Sequence, residues 1–184
     1  MPTFVRVIPT CAGFTLAEVL VALFVVALGI AGAAGVQAMA LRSGREAARI
    51  ADGVQLAASL AERMRANPVA MALADGANPY LQLDYDSAAG SPPEVAACFA
   101  DSPCSAEALA AFDLMEATRE LALRFPGGRL LACRDATVPD ASGLPSWTCD
   151  HQPGAPVVIK LGWREADDAA ALPRVQLPVA VGGA

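Results

Sequence analysis

Residues 19–41 read VLVALFVVALGIAGAAGVQAMAL, 23 residues without a charge, with Gln37 as the only strongly polar side chain. As a helix they rise about 35 Å, enough to span a bilayer core. The pattern then changes without breaking. From 42 to 66 there is no proline, and Ala47, Ile50, Val54, Ala57, Ala61 and Met64 recur at helical steps that predict one apolar stripe. Asn67-Pro68 ends the pattern, because proline disfavours helix in the residue before it. The prediction is one continuous helix over 14–66, about 80 Å long. Its first half is apolar all round and its second half amphipathic, as suits a membrane anchor that continues into a packing spine.

Beyond the helix the punctuation is dense. Residues 68–104 are rich in Ala, Gly, Pro, Ser and Asp and read as an irregular loop region with room for one short element. Residues 105–125 read as a second helix, with Ser105 as its cap and Leu114, Ala117, Leu121 and Phe125 on one face; Pro126-Gly127-Gly128 ends it. Three strands follow. The first is 129–134. The second is 157–163, with Val157, Ile159, Leu161 and Trp163 on one face and Val158, Lys160 and Gly162 on the other. The third is 175–181, where Pro178 marks a sheet edge. The fold class is α+β: a long N-terminal helix packed on a small head with a second helix and an antiparallel sheet of about three strands.

Charge sharpens this division. The chain carries a net charge of -6, and from Pro68 onward seven basic residues face fifteen acidic ones. Such a head repels phosphate, so no direct nucleic-acid binding is expected. Arg42, Arg45 and Arg49 follow the apolar run, while Arg6 alone precedes it. Of five cysteines, Cys11 lies before the run. Cys98, Cys104, Cys133 and Cys149 lie in the head, an even number that favours two disulfides and an oxidising compartment. Three connectivities are open; the local one, 98 with 104 and 133 with 149, is expected, and closing the larger loop contributes about 3 kcal/mol on a chain-entropy account. A four-cysteine zinc site is disfavoured because no CxxC pair exists. No metal and no cofactor is expected. His151, beside Asp150, is the single histidine; no Gly-x-Ser-x-Gly or phosphate loop accompanies it, so it reads as an exposed loop residue and no catalytic residue is assigned. Asp167-Asp168 reads as the solvated loop of the last hairpin.

The stretch Gly13-Phe14-Thr15-Leu16-Ala17-Glu18-Val19-Leu20-Val21-Ala22 resembles the processing motif of type IV pilin-like prepilins. That resemblance implies a leader at 1–13, which an inner-membrane prepilin peptidase removes between Gly13 and Phe14 before methylating Phe14. It implies a transmembrane and assembly helix over 14–41, its amphipathic continuation over 42–67 and a periplasmic head over 68–184. The N-terminus would be cytoplasmic, against the bias of Arg42, Arg45 and Arg49 under the positive-inside rule. Glu18 would be the assembly residue, pairing with the free Phe14 amine of a neighbouring subunit; the plain alternative is a carboxylate snorkelling to the membrane surface. Ala12 stands where the family has Lys or Arg. Gly29, Gly32 and Gly35 either are tolerated in lipid or permit close helix packing.

A narrower resemblance, to minor pilins of the PilV type, rests on residues 18–23, on Leu60-Ala61-Glu62-Arg63-Met64-Arg65-Ala66-Asn67-Pro68 and on the paired cysteines of a small head. It implies a structural subunit of the type IV pilus, acting in assembly or initiation and in motility, adhesion or DNA uptake. Its partners would be other pilin subunits, the prepilin peptidase, the inner-membrane assembly machinery and the membrane, with the fibre and cell surface as destination. A pseudopilin of the type II secretion system is the alternative. A membrane-tethered periplasmic enzyme would require converging titratable groups in the head.

Overall fold

The computed structural model describes residues 13–95, 98, 104–137, 145–164 and 172–180. Most of the expected leader, Asp167-Asp168 and Val181 lie outside them. The chain divides into two compact units, Met1–Glu46 and Ala47–Ala184. Helix α1 is continuous over Leu16–Ala66, and it is long and apolar enough to cross a membrane by length and composition. In the first unit every described residue before Glu46 is exposed, the large ones from Phe14 to Leu41 included. The helix starts at Leu16 rather than Phe14 because Thr15 takes the capping position.

The second unit holds the core. Here the predicted stripe is corrected. Ala47, Ile50 and Val54 are exposed, Ile50 by 39% and Val54 by 43%. Ala57, Ala61 and Met64 of that stripe are buried, and Gly53, Leu56 and Leu60 complete the buried face. Both sets have helical spacing. The true face begins at Gly53, a residue with no side chain, which a pattern of apolar side chains passes over. A Cβ on Gly53 would stand 3.1 Å from Trp163 Cζ3 and 3.3 Å from both Leu161 Cδ2 and Val175 Cγ2. The absent side chain is what lets the sheet approach α1.

Residues 68–104, read as irregular with one short element, contain three among the described residues. Helix α2 (Pro68–Met71) is capped by Asn67, whose Oδ1 accepts from Ala70 N–H at 3.3 Å, with Pro68 at its first position. A 3₁₀ turn (Pro79–Gln82) is capped in the same way by Asn78. Strand β1 (Asp84–Asp86) follows. Helix α3 (Ala106–Arg124) starts on Ser105, whose Oγ accepts from Ala108 N–H at 3.2 Å, and buries Ala110, Phe112, Ala117 and Leu121.

The sheet has four strands, not three, in the antiparallel order β1-β2-β3-β4, with β2 at Arg129–Arg134, β3 at Val157–Gly162 and β4 at Val175–Val179. The added strand is only three residues long. It holds to Arg129–Leu131 through its ladder and through Asp84, which takes a forked pair of hydrogen bonds from Arg129 at 2.8 and 2.9 Å. β3 is buried along its whole length. Its Val157, Ile159 and Leu161 align with Leu130 and Ala132 of β2 and with Val175, Leu177 and Val179 of β4. This face joins the α1 and α3 side chains in one core, with Phe125 and Trp163 rings 5.0 Å apart.

Gly53→Val places a branched side chain where 3.1 Å is already tight. It is expected to destabilise the head by roughly 1–3 kcal/mol, as overpacking does. Thermal unfolding of the detergent-solubilised chain checks this; an unchanged midpoint would show that α1 and β3 separate freely at that position.

Candidate processing and assembly site

The motif around Gly13 is built from one turn of helix. Thr15 Oγ1 accepts from Glu18 N–H at 3.3 Å, and Glu18 Oε2 accepts in return from Thr15 N–H at 2.9 Å and from Thr15 Oγ1 at 3.0 Å. This reciprocal pair is a capping box. It satisfies backbone donors that would otherwise point unpaired from the start of an apolar helix. Thr15 was missed as a functional residue, although Thr-x-x-Glu before an apolar run is a readable signature. The box fixes the Glu18 carboxylate within one turn of Phe14, whose side chain is 88% exposed. Both returned bonds fall on Oε2. Gly13 and Phe14 precede the helix in open backbone, with nothing within 4 Å of a Cβ built on Gly13.

At the far end of α1, residues 60–68 serve a second purpose. Arg63 Nη1 donates to Asp113 Oδ1 at 3.1 Å, and its Nη2 stands 2.9 Å from Glu116. Tyr80 donates its hydroxyl to Asp113 Oδ2 at 2.6 Å. Asn67 Nδ2 donates to Tyr80 Oη at 3.3 Å and to the Ala106 carbonyl at 2.7 Å. Tyr80, Asn67 and Asp113 are buried. Burial, then the hydrogen bond to the Asp113 carboxylate, pushes the Tyr80 hydroxyl well above its ordinary value. Four elements meet at this cluster, with every buried polar side chain in it partnered. The Arg63 and Asn67 of the 60–68 segment are therefore structural pins.

Cys98 is bonded to Cys104, and Cys133 to Cys149. The first bond lies just before α3. The second ties the end of β2 to the segment 145–156, which folds over the other face of the sheet. Lys160, on the face of β3 opposite Val157, Ile159 and Leu161, is only 1% exposed. Its ammonium pairs with Asp135 and donates to the Ser146 and Thr148 carbonyls at 2.9 and 2.6 Å. Asp135 also accepts from Thr137 N–H and Oγ1. Burial alone would raise the Asp135 carboxyl; the bonds from Lys160 and Thr137 outweigh it and hold the group below its ordinary value. His151 is exposed, with a positive φ of 51°, and its backbone N–H donates to Arg134. Among the described residues no group of acidic, histidine or cysteine side chains could hold a metal ion.

Two family models match the chain. Residues 8–34 match the prokaryotic N-terminal methylation motif, and residues 35–115 match the family described as Tt1218-like, type IV pilin Tt1218. The second match takes in Arg63, Asn67, Tyr80 and Asp113; β2, β3 and β4 lie beyond it. No curated protein and no solved structure matches the chain. The chain is thus similar to a prepilin methylation motif followed by a type IV pilin domain, and the apolar helix that runs through both matched segments fits membrane anchoring.

The Lys160–Asp135 pair yields a test. A carboxyl depressed on folding adds stability above its unfolded value and loses it as pH falls through the folded one, so this contribution is whole at neutral pH and fades below about pH 4. Asp135→Asn is expected to flatten the acid limb of a melting-temperature profile. Lys160→Met, which leaves Asp135 buried without its cation, is expected to cost roughly 3–5 kcal/mol. Equal acid limbs for wild type and Asp135→Asn would contradict this account.

Proposed function

We propose that the chain is a minor pilin of the type IV pilus, most similar to PilV. The observation that carries this reading is the sequence Gly13-Phe14-Thr15-Leu16-Ala17-Glu18 at the head of an apolar helix that is exposed as far as Arg45, in a chain that is similar to a type IV pilin domain from residue 35 onward. In this reading prepilin peptidase cuts between Gly13 and Phe14 and methylates Phe14. Residues 14–41 hold the subunit in the inner membrane with its N-terminus cytoplasmic. Residues 42–67 carry the helix into the periplasmic head of residues 68–184, in which Cys98, Cys104, Cys133 and Cys149 brace the fold. The assembly machinery then passes the subunit to other pilins in the fibre. The chain works as a structural part, in pilus initiation and pilus-dependent motility, adhesion or DNA uptake.

A pseudopilin of the type II secretion system shares the methylation motif, and the match to that motif supports it equally. Fractionation separates the two: a minor pilin appears in fibres sheared from the cell surface. Mass spectrometry of the mature chain is expected to show methylated Phe14 as its first residue; a mature chain that retains Cys11 would end the leader assignment.

The role of Glu18 can be split from its cap. Glutamine fills the same position of a capping box without charge. Glu18→Gln therefore keeps the helix start and removes the group proposed to meet a neighbouring Phe14 amine, while Glu18→Val removes both. Both variants are expected to be cleaved, to stay in the membrane and to be lost from sheared pili. Wild-type amounts of Glu18→Gln in pili, with Glu18→Val absent, would reduce Glu18 to a helix cap.

A further inference from the structure

We infer that Arg42 and Arg45 form a headgroup site for anionic phospholipid at the C-terminal end of the membrane span; this rests on the membrane-anchor reading of α1. The helix is unbroken from Leu16 through Arg45, so its spacing fixes where these side chains stand. Glu18 and Arg42 are 24 positions apart, about 36 Å along the axis. A hydrocarbon core is about 30 Å thick. With Glu18 near one surface, Arg42 therefore emerges among the phosphates of the other.

Arg45 follows at i+3, so the two side chains share a face with Cβ atoms about 5–6 Å apart, a span suited to one phosphodiester. Both arginines are exposed. Glu46 is half-buried and already makes an interaction of its own. Guanidinium takes phosphate through paired N–H donors, and Arg stems lie along acyl chains while their heads reach water. The site thus continues the apolar surface of Phe14–Leu41 into a charged collar whose sign complements an anionic leaflet.

This also gives the arginines a purpose that orientation does not. Positive charge after the span opposes insertion with the N-terminus cytoplasmic. Once the span is in place, the same charges grip the leaflet on the head's side. A subunit leaving the bilayer for a fibre must release those lipids.

The test uses the full chain reconstituted in phosphatidylcholine vesicles that carry spin-labelled phosphatidylglycerol or spin-labelled phosphatidylcholine. The motionally restricted fraction measures lipid held at the protein. Phosphatidylglycerol is expected to be preferred, by about fivefold for each arginine at low ionic strength. The preference is expected to shrink in about 0.5 M salt and to vanish in Arg42→Gln/Arg45→Gln, glutamine being an equally good helix former. Equal restricted fractions for the two lipids, or an unchanged preference in the double variant, overturn the site while leaving the anchor intact. No restricted lipid of either kind overturns the anchor and the site together.

Discussion

The close approach of β3 to α1 at Gly53 is the contact on which the head depends. Trp163, Leu161 and Val175 all fall within 3.1–3.3 Å of where that Cβ would be. The sheet can then lie flat against Leu56, Leu60 and Met64, each worth about 1.5–3 kcal/mol when fully buried. A glycine in mid-helix gives up about 1 kcal/mol of helix propensity. Burial of three large side chains and most of an indole exceeds that. One helix thus presents an exposed apolar surface before Arg42 and a buried stripe after Ala51, without a break in its backbone.

The polar cluster at the end of α1 complements this packing. Hydrophobic burial has no direction, and a smooth stripe of Ala and Leu would allow α3 to slide along α1. Asp113 removes that freedom by accepting from Arg63 and Tyr80 at once, while Asn67 holds the Ala106 carbonyl at the start of α3. Each of these groups would be costly if left unpaired in the interior. Register is therefore fixed by what a slip would expose more than by what the native contacts gain.

Much of this was legible in the sequence, and the failures share one cause. The long helix, its end at Asn67-Pro68, the Ser105 cap and β2 and β3 follow from local pattern, and the structure has them within two residues. The predicted stripe held at Ala57, Ala61 and Met64 and failed at Ala47, Ile50 and Val54, because two overlapping faces of the helix share one spacing and the sheet packs against the one that carries Gly53. β1 was invisible because a three-residue strand has no period; it exists only where Arg129–Leu131 pairs with it. The burial of Lys160 was not legible, because alternation names two faces and cannot say that both are covered. In the N-terminal motif the residues were readable, but Thr15 was passed over because Glu18 drew attention as a charge rather than as half of a cap.

Lys160 shows how a loop can determine the chemistry of a strand. A lysine on β3 would ordinarily reach solvent. Here the Cys133–Cys149 bond brings the 145–149 segment back over the sheet, and the carbonyls of Ser146 and Thr148 close on the ammonium. The disulfide limits how far the segment can stray, and the ion pair selects one arrangement within that range. Such a pair is seldom a net source of stability, since desolvating two charges nearly cancels their attraction. Its effect is on specificity. Any other placement of the segment leaves Lys160 or Asp135 buried without a partner. The covalent bond and the buried charge thus constrain the same loop by different means, one through the unfolded chain and one through the misplaced alternatives.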